Sequence, residues 1–214
     1  MSTTPRPRAA RKAPDERTRD IAGAARELAL EEGLAAVTLR AVAARAGVAP
    51  ALVAHYVPSM ESLIANTFET VVGAEIAEVE ALIAPLDGPR ARLGRLIRTL
   101  LDGTRDDVTV VWVEAWALGR RSESLARAVR EQMDAWQSVL QGVIEDGVRS
   151  GDFDTADAPG VAWQLLGMID GLNAQALVRW GDATDRGSLI SHAVEGMLGL
   201  PRGALDSSSD PAAR

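Results

Sequence analysis

The sequence predicts an all-α fold of about nine helices, a small three-helix head containing a helix-turn-helix and a larger helical body. Three observations carry this. Apolar residues recur at i, i+3, i+4 and i+7 from residue 21 to residue 198, and no segment reads as a strand. Gly and Pro break that pattern at intervals that leave short joints between helices. The 214 residues are enough for a substantial buried core in a two-part protein.

Residues 1–14 are rich in Pro, Arg and Ala without apolar periodicity, so they are expected to form a disordered basic arm. Arg6, Arg8, Arg11 and Lys12 would serve there either as a phosphate-tracking arm or as a solvated leader. The first helix carries Ile21, Ala24, Ala25, Leu28 and Ala29 on one face and stops at Gly33. In VTLRAVAARAGVAPALVAHY, residues 37–56, Leu39, Val42, Ala43 and Ala46 form the next stripe, with Thr38 placed to cap it. Gly47 supplies a turn and Pro50 starts a further helix where its missing N–H costs nothing. Two short helices crossing sharply over such a turn are a helix-turn-helix, whose second helix enters the major groove of double-stranded DNA.

Exposure decides which residues would meet DNA. Val48, Val53 and Val57 are needed to pack the reading helix, which leaves Ala49, Pro50, Ala51, Leu52, His55 and Tyr56 outward. Ala51 and Leu52 suit thymine methyls, and Arg40 suits a guanine edge, with a solvated helix charge as its alternative. Thr38, His55 and Tyr56 suit phosphate oxygens, and Arg45 and Ser59 complete the expected DNA-binding set; Tyr56, the single Tyr, could instead be a core aromatic.

Residues 17–64 resemble the N-terminal domain of the TetR family of bacterial transcriptional regulators. The likeness rests on the Ile21–Ala29 face ending at Glu31-Glu32-Gly33, on the helix-turn-helix, and on His55-Tyr56-Val57-Pro58-Ser59 opening a helix at Met60, Leu63 and Ile64. It departs from the family's usual residues at Ala49, Ala54 and Met60, which bears on affinity and not on fold.

The body reads as helices over 59–83, 90–101, 106–119, 122–149, 157–180 and 186–198. The segment VTVVWVEAWALG is apolar nearly all round and belongs in a core. The helix over 157–180 carries Gly160, Gly167 and Gly171, each weakening it by ~1 kcal/mol. Close crossing with a second copy would offset that, so Val161, Leu165, Gly167, Gly171, Leu189, Ala193 and Met197 are the expected dimer contacts of a four-helix bundle. WVEAW, the long helix after Ser122 and MIDGL resemble the C-terminal domain of the BetI-like subgroup, which implies a ligand-binding and dimerisation domain. Residues 15–60 are thus the expected DNA-binding domain, 61–200 the effector-binding and dimerisation domain, and 201–214 a disordered tail.

All five Trp lie in the body of a chain with only two Phe, so they either pack the core and dimer or line a pocket. Trp112 and Trp116 share a helix face, with Met133, Trp136 and Gln137 expected to close over them. Phe68, Val72, Asp102, Met168, Asp170 and Asn173 complete the expected ligand site. Acids beside aromatic rings favour a small organic cation, although a neutral lipophile fits as well.

Composition narrows the function classes. Without Cys there is no thiolate metal site or cysteine nucleophile. Of the two His, His55 belongs to the reading helix, and His192 with Glu195 makes one i, i+3 pair without a second to complete a metal site. No enzyme activity, cofactor or metal is therefore expected. Net charge is −7 overall but +3 over residues 1–60 and −10 beyond, so a basic head rides on an acidic body and meets phosphates first. No apolar run is long enough to span a membrane, which predicts a cytoplasmic protein. The expectation is a homodimeric, ligand-responsive repressor that binds a palindromic operator; the alternative is a helical protein-interaction adaptor or a small-molecule-binding bundle without DNA binding.

Overall fold

The computed structural model describes residues 13–181 and 185–206. Arg6, Arg8, Arg11 and Lys12 of the expected arm lie outside them. The described residues form nine α-helices and no strand: α1 (Pro14–Glu32), α2 (Leu39–Arg45), α3 (Pro50–Tyr56), α4 (Met60–Ile83), α5 (Pro89–Leu101), α6 (Asp106–Gly119), α7 (Glu123–Ser150), α8 (Ala158–Ala176) and α9 (Arg186–Met197). A 3-10 turn, Leu34–Ala36, joins α1 to α2.

Most helix starts are fixed by side-chain caps. The Thr38 hydroxyl accepts from the Ala41 amide, Ser59 and Ser62 form a reciprocal capping box at α4, and Ser122, Asp157 and Asp185 cap α7, α8 and α9. Ala49 gives α3 no side-chain cap, and Pro50 at its first turn sets the backbone instead. Gly47 takes a φ of 66° at the turn between α2 and α3, where a β-carbon would be strained.

In the head, α1 contributes Ile21, Ala24, Ala25, Leu28 and Ala29 to a core closed by Leu34, Val37, Val42, Ala43 and Val53. The helix α4 leaves this head at Leu63 and Ala65 and enters the body, where Phe68, Val71, Val72, Val79 and Ile83 meet α7 and its Trp136, Leu140, Val143 and Ile144. Helices α5, α6 and α8 pack against this pair, and α9 covers α5 and α8.

Three expectations are corrected. Pro14 is already the first residue of α1 and not part of the arm. The helix over 157–180 stops at Ala176, because Arg179 turns the chain at a φ of 59° and the Trp180 amide bonds back to the Gln175 carbonyl. Residues 201–206 are not a loose tail. Glu195, itself buried, accepts from the amides of Gly203 and Leu205, Arg98 donates to the Leu205 carbonyl, and Leu205 is fully buried. Satisfying a buried carboxylate with two backbone donors ties this segment down. Residues 207–214 of the expected tail lie outside the described residues.

Candidate DNA-binding face and effector cavity

On the head, Thr38, Arg40, Ala49, Pro50, Ala51, His55 and Ser59 are exposed, while Leu52 and Tyr56 are half-buried. Val53, fully buried, anchors α3 as the packing argument required, and the His55 and Tyr56 rings meet edge to face at 5.3 Å. Arg45, expected among the DNA-binding residues, is half-buried and paired within the head. Its guanidinium lies 2.7 Å from Glu31, 3.5 Å from Glu32 and 3.6 Å from Glu27, joining α2 to the end of α1. That pairing raises the Arg45 pKa and holds Glu31 below the usual carboxylate range.

In the body, a cavity of about 40 Å³ is lined by Trp112, Trp116 and Thr109 of α6, Met133 and Trp136 of α7, and Leu166, Ile169, Asp170 and Asn173 of α8. Glu75 of α4, Leu100 of α5 and Arg105 just before α6 complete it. The sequence-predicted residues Trp112, Trp116, Met133, Trp136, Asp170 and Asn173 are therefore brought together. Phe68 and Val72 are fully buried and stand outside the lining, Phe68 meeting Trp112 edge to face at 4.9 Å. Gln137 instead donates to the Pro159 carbonyl, and Met168 is not on the wall. Asp102 is exposed and accepts from the amide and hydroxyl of Thr104, so it shapes a loop. Asn173 donates to the Leu100 carbonyl and accepts from Arg186, which leaves it a wall residue with its amide already used.

Two carboxyls line this cavity, Glu75 from α4 and Asp170 from α8. Burial pushes the Glu75 pKa up to about 7, against the opposing pull of Arg105 and of a hydrogen bond from Trp112. Burial alone pushes Asp170 up to about 6, and Asp170 pairs with no cation among the described residues. Arg105 is turned toward Glu78, with its Nη2 at 2.9 Å, and its buried Nε has no partner. Sequence reasoning missed Glu75, Arg105, Leu100, Leu166 and Ile169. For Glu75 a signal existed, since it occupies the inward register of Phe68, Val71, Val72 and Val79.

The expected dimer residues divide. Gly167, Gly171, Leu189 and Ala193 are exposed, and a β-carbon on either glycine would meet open space. Val161 and Leu165 are instead buried within the protomer, because their register on α8 faces the core, and Met197 is half-buried. The large apolar side chains Trp163, Val178 and Trp180, each 70% exposed or more, extend the outward α8 face and its following turn.

Comparison with known proteins decides the family. Residues 21–67 match the profile of the bacterial regulatory proteins of the tetR family, and residues 89–199 match that of the BetI-type transcriptional repressor C-terminal domain. The chain belongs to the TetR family, with a BetI-type C-terminal domain. It is 29% identical over 158 residues to the helix-turn-helix transcriptional regulator BetI of Rhizobium meliloti, spanning 73% of this chain and 75% of that protein. A transcriptional regulator from Rhodococcus is 26% identical, with a TM-score of 0.63 over 85% of this chain and 94% of its own. A protein from Saccharomonospora viridis, solved in complex with choline and described as a regulator of transcription, shares the fold at 22% identity, with a TM-score of 0.76 over 86% of this chain and 98% of its own. This TetR-family protein is thus a transcriptional regulator with a helix-turn-helix DNA-binding head. Among its described residues no helix is long and apolar enough to cross a membrane, and no group of three or more His, Asp or Glu could hold a metal ion.

Proposed function

We propose that the protein is a homodimeric repressor that holds an inverted-repeat operator and releases it when a small organic cation fills the body cavity. The observation that carries the effector class is Asp170, a cavity carboxyl without a cationic partner among the described residues, beside three Trp rings. A cation would ionise Asp170 and Glu75 at little cost and rest against the negative faces of the indoles. The choline held by the Saccharomonospora viridis protein supports this class and makes choline the first probe.

The dimer reading rests on the outward face of α8 and α9. A single reading helix covers only a few base pairs, whereas two on a symmetric dimer read an inverted repeat. Trp163, Gly167, Gly171, Leu189 and Ala193 offer an apolar surface relieved by glycines, suited to close contact with its own copy. Release follows if the cation favours a spacing of the two heads that misfits the operator; a ligand that bound both spacings equally would release nothing.

The test is titration with choline and with 3,3-dimethylbutanol, its neutral isostere, following tryptophan fluorescence and a gel shift on DNA upstream of the protein's own gene. Choline is expected to quench fluorescence and release the DNA, and Asp170→Asn to weaken that response. Equal responses to both compounds would reject the cationic effector, and no shift of any inverted repeat in that DNA would reject the operator reading.

A further inference from the structure

Helix α6 has two working faces. Trp112 and Trp116, four residues apart, lie about 40° from each other around the axis and form a wall of the cavity. Glu114, two residues from each, points about 160° away from both. It reaches out of the body to the head, where its Oε2 accepts from the Ala35 amide at 2.8 Å across 79 residues of sequence. Gly33 makes the approach possible. It takes a φ of 90°, and a β-carbon there would stand 2.7 to 2.8 Å from both Glu114 carboxylate oxygens.

The place where Glu114 attaches is the hinge of the DNA-reading unit. Leu34 and Val37, on either side of Ala35 and Ala36, are buried in the head core, and Thr38 follows as the cap of α2. Helices α2 and α3 are seven residues each, too short to hold themselves, so their position is inherited from this junction and from α1. Across the helix lies the cavity, of about 40 Å³. An occupant seated there presses on its walls, and α6 is the wall whose other face grips the head.

We infer that Glu114 is the positioning residue through which α6 transmits the state of the cavity to the helix-turn-helix. This rests on the cavity being the effector site, but its test requires no effector. Trp116→Ala perturbs the cavity face, Glu114→Ala cuts the link, and hydrogen exchange of the full-length protein reads the head. In the otherwise native protein, Trp116→Ala should speed exchange of the amides between Ala35 and Arg45 by about tenfold, with the buried centre of α7 around Leu140 unchanged. With Glu114→Ala already present, those amides should be fast and Trp116→Ala should add less than about twofold. Glu114→Gln, which keeps the size and one acceptor oxygen, gives an intermediate background and serves if the Ala variant unfolds. The inference is overturned if Trp116→Ala leaves head exchange untouched in the native background, or if it acts equally with and without Glu114. A failure of choline to bind would reject the effector class while leaving this outcome intact.

Discussion

In the head, two seven-residue helices sit on a core of Ala, Val and Leu, with the Thr38 cap and the Gly47 turn fixing their angle. In the body, helices of up to 28 residues close around a cavity faced by two carboxyls that burial keeps from ionising readily. Small side chains fill the head core. Long helices around an imperfectly filled space can shift against one another. The contrast supports the proposal that the first region reads and the second senses, and α4 and α6 are the helices that touch both.

The largest expected effect lies on the outer surface of the body. Leu189→Arg would place a charge in the middle of the proposed contact between copies, where burial without a partner costs several kcal/mol. Sedimentation should show a monomer, and operator binding should fall below detection although the isolated head is unaltered. Val161→Arg is the contrasting change. Val161 is buried within the protomer, so that variant should lose its fold before its partner, read as a lowered melting temperature. A native chain that sediments as a monomer would remove the dimer from the proposal.

These two positions also show what the sequence could and could not reveal. Both are apolar residues on amphipathic helices beside glycines, and periodicity marks a face without saying whether it meets the protomer's own core or a second copy. Thr38, Val53 and the three Trp of the cavity were legible because a cap, an anchor and a large ring each have a local signature. Arg45 was not. It sits in a helix-turn-helix where a basic residue reads as a DNA contact, yet its partners Glu27, Glu31 and Glu32 come from α1 and are known only once α1 packs on α2. Leu205 had no periodic neighbours, and its burial depends on Glu195 reaching back across the chain. Glu75 was readable in principle, as a charge in an apolar register, the pattern that marks a buried titratable group.

Within the head, Arg40 and Arg45 sharpen the distinction between reading and holding. Arg40→Ala should weaken operator binding by ~1 to 3 kcal/mol and relax base preference at one position of each half-site. Arg45→Ala should change operator affinity by roughly threefold or less, since its charge is already committed to α1. Its effect should appear as a lower melting temperature of the head. Measured affinities in the reverse order would return Arg45 to the DNA surface and make Arg40 a solvated charge.

A further expected effect is the dependence of the body on pH, and it has opposite signs for stability and for binding. Glu75 and Asp170 have folded pKa values raised by burial to about 7 and about 6, above their ordinary values, so the folded protein holds more protons than the unfolded chain between those limits. Their contribution to stability is fully present below the ordinary carboxylate range and is lost as pH rises through about 6 and then about 7. A cation prefers the ionised carboxyls, so its affinity should run the other way and weaken as pH falls through about 7 and then about 6. Glu75→Gln should flatten both profiles, and Asp170→Asn should remove only the portion near pH 6. Calorimetric titration of choline across this range checks the binding arm, and thermal melts without ligand check the stability arm. Choline affinity that does not change with pH, while the melting temperature falls as expected, would leave the buried carboxyls in the body but take the cation away from them.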